Sequence, residues 1–343
     1  MCYHNSVMTP IEYIYYMLYR LHRRQGTARQ KRLCGRTISV GNLSLGGTGK
    51  TPLVINISRE SIRRGFSTCI LTRGYKSKTD ESMIVSRGEG PLVSWQECGD
   101  EAYLMASRIR GAWVVKDSNR YRGGLIAGEK DVYILDDGFQ HWRLYRDIDI
   151  VVIDTSRPSY NDRLLPLGRL REPFEEIKRA DLIVLNRAEN RMPHLEDIVR
   201  RYNKDAPIFY SEIEPVSLAD IRGKQEDISV LKGKRVVIFS GIGNPKQFRD
   251  SFYLLNANVV ETIEFRDHFV YDEKDIEKIT GIAFKKKADM IITTEKDIIK
   301  LHNYIEWFND IPLFAMRIKL EIREKKFYDI LFQGIKSNKI KKE

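Results

Sequence analysis

Apolar positions recur with a helical period near the start of the chain. Between Pro10 and Arg24, Ile11, Ile14, Tyr15, Leu18 and Leu21 fall on one face, and Pro10 suits a first helical turn. A basic stretch overlaps and follows: Arg20, Arg23, Arg24, Arg29, Lys31, Arg32 and Arg36. Apolar and aromatic residues beside arginines suit a helix lying on anionic lipid. An amphipathic helix docked on its own domain has the same pattern, and both readings stand at this level.

From Thr37 the texture changes to short β-branched or apolar runs with helix-compatible segments between several of them. The runs are 37–42, 68–72, 112–115, 132–135, 148–153 and 182–186, with a second group at 235–241, 290–294 and 313–318. This alternation predicts a largely parallel sheet covered by helices. Residues 187–234 between the groups are polar and charge-rich, and only IFYSEI (208–213) reads as a strand. The expected fold is α/β: a P-loop NTPase-like, mostly parallel sheet domain with a smaller C-terminal α/β domain. The expected divisions are 1–36 (the helix and basic segment, part of the larger domain), 37–220 and 221–343, the last ending in a basic tail expected to fray.

Composition narrows the class. The 343 residues are 42% apolar and 31% charged, which suits a folded protein with a full core and argues against long disorder. The net charge of +11 points to an anionic partner, whether nucleic acid, phosphate-bearing substrate or acidic membrane. Cys2, Cys34, Cys69 and Cys98 form no C-x-x-C pair, so reduced thiols of a cytoplasmic protein are expected. No apolar run reaches the roughly 18 residues of a membrane span, and the N-terminal arginines follow rather than precede the apolar stretch, unlike a signal peptide.

The most informative segment runs from Ser39 to Pro52, SVGNLSLGGTGKTP. Gly49-Lys50-Thr51 after a strand and before a helix is the core of a Walker A loop, although Ser44 stands where the full pattern has glycine. Backbone N–H groups from Ser44, Leu45, Gly46, Gly47, Thr48, Gly49, Lys50 and Thr51 would cradle ATP phosphates at a helix N-terminus. Lys50 would reach the terminal phosphates and Thr51 would bind Mg²⁺. The apolar run Val132–Leu135 ends in Asp136-Asp137, as a Walker B strand should, and Gln140 and His141 follow closely.

These residues resemble the tetraacyldisaccharide 4′-kinase (lipid A 4′-kinase) family. The resemblance rests on VGNLSLGGTGKTP (40–52), LTRGY (71–75), CGDEA (98–102), DDGFQH (136–141), LLPLGRLREP (164–173), RDHFVY (266–271) and TTEKD (293–297), in the family's order. Ala102 and Thr72 depart from the usual proline and serine, and neither change removes a charged group. The resemblance implies transfer of the ATP γ-phosphate to the 4′-hydroxyl of a tetraacylated disaccharide 1-phosphate, in lipid A synthesis, at the cytoplasmic face of a Gram-negative inner membrane. It implies a smaller domain closing over the nucleotide, with the N-terminal helix dipping into lipid; no nucleic acid and no obligate protein partner are expected.

The resemblance also distributes roles. Asp100 becomes the general base and His268 its orienting partner; Glu101, Asp136 and Asp137 join Thr51 in organising the metal. Arg73, Gln140 and His141 become anion-binding or site-shaping residues. Arg169 and Arg171 either hold the substrate 1-phosphate or line a solvated loop. The alternative is a P-loop GTPase or nucleotide-dependent metallochaperone, because Asn186-Arg187-Ala188-Glu189 loosely mimics the guanine-reading N-K-x-D motif. Against it stand the Arg and Glu replacements and the absence of a D-x-x-G switch. A nucleic-acid-dependent ATPase fits the charge alone, but the basic run adjoins an apolar helix rather than stacking aromatics.

Overall fold

A computed structural model describes residues 8–188 and 190–335; Cys2, Glu189 and the ending 336–343 lie outside the described residues. Strands β1 (Arg36–Gly41), β2 (Thr68–Thr72), β3 (Met83–Ser86), β4 (Ala112–Lys116), β5 (Val132–Asp136), β6 (Ile148–Asp154) and β7 (Leu182–Asn186) belong to the first half of the chain. The rest are β8 (Ile208–Asp220), β9 (Gln225–Asp227), β10 (Arg235–Ser240), β11 (Asn258–Glu264), β12 (Met290–Thr294) and β13 (Leu313–Ile322). All share one sheet, in the order β11-β10-β12-β13-β8-β7-β6-β1-β5-β2-β4-β3, with β9 beside β8. Pairing is parallel except at β3–β4, β8–β9 and β8–β13. The mostly parallel α/β sheet read from the sequence is therefore present.

Burial on both faces explains why the strands read as continuous apolar runs. In β6, Ile148, Ile150 and Val152 enter one core while Val151 and Ile153 enter the opposite one. The strands that sequence patterning overlooked are β3, β9 and β11. The first two are short, and β11 is an edge strand, NVVETIE, with only Ile263 buried. β8 runs well beyond the expected six residues because β13 takes over as its partner from Ser211 onward. Pro215, which has no N–H to give, lies opposite Ile318 at a register shift, where a missing ladder bond is tolerated.

The chain leaves β1 across β5 to β2 and later places β6 on the other side of β1. This switch in winding direction opens a crevice at the carboxyl ends of the strands, where ligands of such sheets bind. The last helix, Lys325–Phe332, returns to the first half: Phe327, Leu331 and Phe332 pack with Ile38, Leu53 and Val54.

The first helix spans Pro10–Ala28, four residues beyond its expected end, and opens with a Thr9–Glu12 capping box. Tyr16 and Tyr19 dock it against Leu43, Phe139 and Trp142, while the Tyr15 hydroxyl donates to the Arg171 carbonyl at 2.7 Å. Of the stripe read from the sequence, Tyr15 joins the docked side, while Ile11, Ile14, Leu18 and Leu21 are each about half exposed or more. Docking is carried by the aromatic and polar face instead. Cys34, Cys69 and Cys98 are free thiols. Among the described residues no helix is long and apolar enough to cross a membrane.

Candidate active site

The loop between β1 and the helix Lys50–Arg63 is held from both sides. Its first limb is zipped to the Arg169–Arg171 segment: Leu45 N donates to the Arg169 carbonyl and Arg171 N to the Leu43 carbonyl, each at 2.8 Å. Its second limb is pinned by Asn186 at the end of β7, whose Nδ2 donates to the Thr48 carbonyl at 2.9 Å. The Ser211 hydroxyl donates in turn to Asn186 Oδ1, also at 2.9 Å. Gly49 has φ +87°, and a Cβ there would lie 2.1 Å from Asn186 Nδ2, so both backbone shape and contact require glycine. Gly46 (φ +115°) and Gly47 have nothing within 4 Å of their Cβ positions, which leaves an open cradle for phosphate oxygens.

Lys50 Nζ donates to Asn42 Oδ1 at 3.1 Å and lies 3.4 Å from Asp137. Asp137 has φ +53°, an uncommon backbone for a non-glycine residue, and a two-pronged Arg171 contact at 2.8 and 2.9 Å holds its carboxylate. Burial works against the Asp137 charge, but Lys50 and Arg171 keep its pKa far below the carboxylate range. Asp136 ends β5, fully buried, and accepts from the Thr72 hydroxyl at 3.0 Å. Burial first, then the charges of Glu101 and Asp137, push its pKa up to about 7.

Asp100 is the first residue of the helix Asp100–Arg108. His268 Nδ1 lies 2.7 Å from Asp100 Oδ2, with the Tyr75 ring edge-on to His268 at 5.1 Å. Burial would raise the Asp100 pKa, yet the His268 hydrogen bond and the charges of Lys296 and Lys300 hold it below the usual range. Lys296 pairs with Glu101, whose pKa is likewise lowered against the effect of burial, with Lys50 contributing. A Cβ on Gly243 would come within 3.5 Å of the Gly47 amide, so the loop after β10 lies against the phosphate cradle.

The remaining sequence candidates fall into different settings. Gln140 donates to the Asn42 carbonyl at 2.8 Å and to buried Glu172, so it braces the loop from behind. His141 is pushed down to about 3 by burial and by Arg120, Arg146 and Arg143, which makes it a neutral ring rather than a cation. Arg169 pairs with Asp162, and Arg171 is committed to Asp137 and Asn42. Arg73 is exposed, and its charge opposes that of buried Arg120.

Sequence reasoning missed Lys296 and Lys300, Arg120, Glu172 and the anchoring role of Asn186. TTEKD and LGRLREP contain or adjoin three of these residues. Nothing local to Arg120 marks it. Asn186-Arg187 was singled out for a different task; its arginine pairs with Asp154, and Glu189 lies outside the described residues.

Comparison with known proteins accords with this geometry. The family model for tetraacyldisaccharide-1-P 4′-kinase matches residues 4–336. Proteins named tetraacyldisaccharide 4′-kinase from Halothermothrix orenii and Aquifex aeolicus are 35% and 36% identical, spanning 93% and 96% of this chain and 88% and 98% of their own lengths. The crystal structure of the "apo" form of LpxK from Aquifex aeolicus in complex with ATP matches with a TM-score of 0.75 at 34% identity, over 95% of this chain and 98% of that one. The phosphate cradle, Asp136 at the end of β5 with Asp137 just beyond it, and a family match over residues 4–336 lead to one assignment: this chain belongs to the tetraacyldisaccharide-1-P 4′-kinase family.

Proposed function

We propose that the protein transfers the γ-phosphoryl group of ATP to the 4′-hydroxyl of a tetraacyldisaccharide 1-phosphate, with Asp100 as general base. The observation that carries this reading is the Asp100 carboxylate itself. Oδ2 is held by His268, and Oδ1 is buried with no hydrogen-bond partner among the described residues. A lone pair held ready in this way is what an acceptor hydroxyl requires. In the reaction the hydroxyl proton passes to Asp100 as its oxygen bonds the γ-phosphorus; the bond from phosphorus to the β,γ-bridging oxygen breaks, and ADP leaves. With Leu45 N bonded to the Arg169 carbonyl and Thr48 N to that of Gly46, the amides of Gly46, Gly47, Gly49, Lys50 and Thr51 hold the phosphate tail, and Lys50 meets the charge that develops on it.

The donor set also fits Mg²⁺. Thr51, Glu101, Asp136 and Asp137 would hold it, and the burial and carboxylate repulsion that together raise Asp136 are what a divalent cation relieves. Bound there, Mg²⁺ would neutralise charge on the β- and γ-phosphates. Among the described residues no three acidic, histidine or cysteine side chains form a ready metal cage. Such an ion keeps several waters and shares its coordination with substrate phosphates.

Arg73, Gln140, His141, Arg169 and Arg171 are assigned to substrate binding or to shaping the site. His141 and Gln140 shape it, as neutral groups; Arg171 acts through Asp137; exposed Arg73, and Arg169 beside its partner Asp162, supply cations for the 1-phosphate. Residues 37–220 and 221–343 act as larger and smaller units, with the final helix of the second stapled to the first. The exposed stripe Ile11, Ile14, Leu18 and Leu21, flanked by exposed Arg20 and Arg24, rests on the anionic cytoplasmic face of the inner membrane. The test is transfer of label from γ-labelled ATP to a tetraacylated disaccharide 1-phosphate in detergent with Mg²⁺. Asp100→Ala should nearly abolish turnover and leave ATP affinity intact; a variant with wild-type kcat would refute the base assignment.

A further inference from the structure

The proposed mechanism leaves a buried lysine unused. Lys300 follows TTEKD, and its side chain is 1% exposed. Its Nζ lies 3.4 Å from Asp100 Oδ2 and 3.4 Å from Asp297 Oδ1. Asp297 is itself immobilised: its Oδ2 accepts from the Gly241 amide at 3.0 Å and from the Thr294 hydroxyl at 2.6 Å. One turn earlier on the same segment, Lys296 pairs with Glu101. Two neighbouring acids at one helix N-terminus therefore meet two lysines spaced to lie on one side of the opposing segment.

We propose that Lys300 is a positioning residue for the catalytic base: with His268 it occupies Oδ2 of Asp100, so that Oδ1 alone is presented to the acceptor hydroxyl. The inference rests on the reading of Asp100 as base. A carboxylate at the start of a helix can turn about its side-chain bonds and offer either oxygen. The His268 hydrogen bond and the Lys300 ammonium charge, both on the Oδ2 side, remove that freedom, and Oδ1 stays unpartnered among the described residues. The lysine is anchored in turn through Asp297 to β10 and β12, by way of the Gly241 amide and Thr294. His268, Lys296 and Lys300 all come from the second half of the chain and Asp100 from the first. The base thus has its working orientation only while the halves are in register.

The test compares Lys300→Met, which keeps volume without charge, and Lys300→Arg, which keeps charge, in the full-length enzyme with saturating lipid and varied Mg-ATP. Lys300→Met should lower kcat about a hundredfold, the typical cost of a misplaced reacting group, with the KM for ATP within about twofold and Lys300→Arg recovering at least about tenfold. In an Asp100→Asn background Lys300→Met should cost nothing further, because its effect runs through that carboxylate. A wild-type kcat for Lys300→Met, or the same loss in both backgrounds, overturns the proposal. Full activity of Asp100→Asn alone strikes instead at the base assignment. Should Lys300→Met fail to fold, the charge-balanced Lys300→Met/Asp297→Asn pair is measured; a retained kcat loss supports the proposal and wild-type turnover overturns it.

Discussion

At the scale of single residues, the site is a set of side chains whose second contacts matter as much as their first. Asn186 shows this. Its amide joins the Thr48 carbonyl to the Ser211 hydroxyl, and all three groups are buried. Asn186→Ala leaves a carbonyl and a hydroxyl without partners and frees the loop limb that carries Gly47–Gly49. A stability loss of about 1–3 kcal/mol is expected, together with a KM for ATP raised by roughly tenfold and an unchanged KM for lipid. Steady-state kinetics in both substrates check it; equal KM values in variant and wild type would return Asn186 to a purely structural role. Lys50→Ala removes the cation nearest the terminal phosphates, so both ATP affinity and turnover should fall, as nucleotide titration and the transfer assay would read. The Walker lysine and the aspartates ending β5 were legible in the sequence because short-range spacing encodes them. Arg171 was visible but its task was not, since its partner Asp137 lies 34 positions away.

At the scale of elements, the first helix carries two faces with different partners. Glu12 closes its capping box and accepts from Arg163 Nε at 2.9 Å. The Arg163 hydrogen bond leads in bringing the Glu12 pKa down to about 2 from 4.5, against burial. A folded pKa below the unfolded one means the contribution is complete above about pH 4.5 and disappears as pH falls through about 2. Glu12→Gln should therefore narrow its stability gap to wild type across that window, read as the difference between the two melting curves. Parallel curves would sink the idea. On the opposite face, Ile14→Asp with Leu18→Asp should abolish co-sedimentation with anionic vesicles and leave the melting temperature within a degree or two, since both residues are exposed. The period-3.6 pattern located this helix but did not separate its docked side from its exposed side. Tyrosines supply the docked side, and their hydroxyls reach Arg171 and Glu172 only in the folded chain.

At the scale of the whole molecule, one sheet runs through both halves, and the last helix ties them together. Phe327 is fully buried among residues that begin at Ile38. Phe327→Ala should cost about 3–5 kcal/mol and lower a single melting transition; a second, unshifted transition would show that the halves unfold independently. What the sequence determined by itself was local: the alternation of strands and helices outside β3, β9 and β11, the phosphate loop, the acids at the end of β5, and the family to which their spacing belongs. Each follows from neighbours along the chain, where periodicity and turn chemistry operate. Tertiary structure alone decided that β8 changes partners from β7 to β13, that Asp100 begins a helix, and that His268, Lys296 and Lys300 from one half converge on Asp100 and Glu101 of the other. Contacts between groups some 170 to 200 positions apart are set by packing and by the pairing of buried charges, and no window along the chain contains both partners.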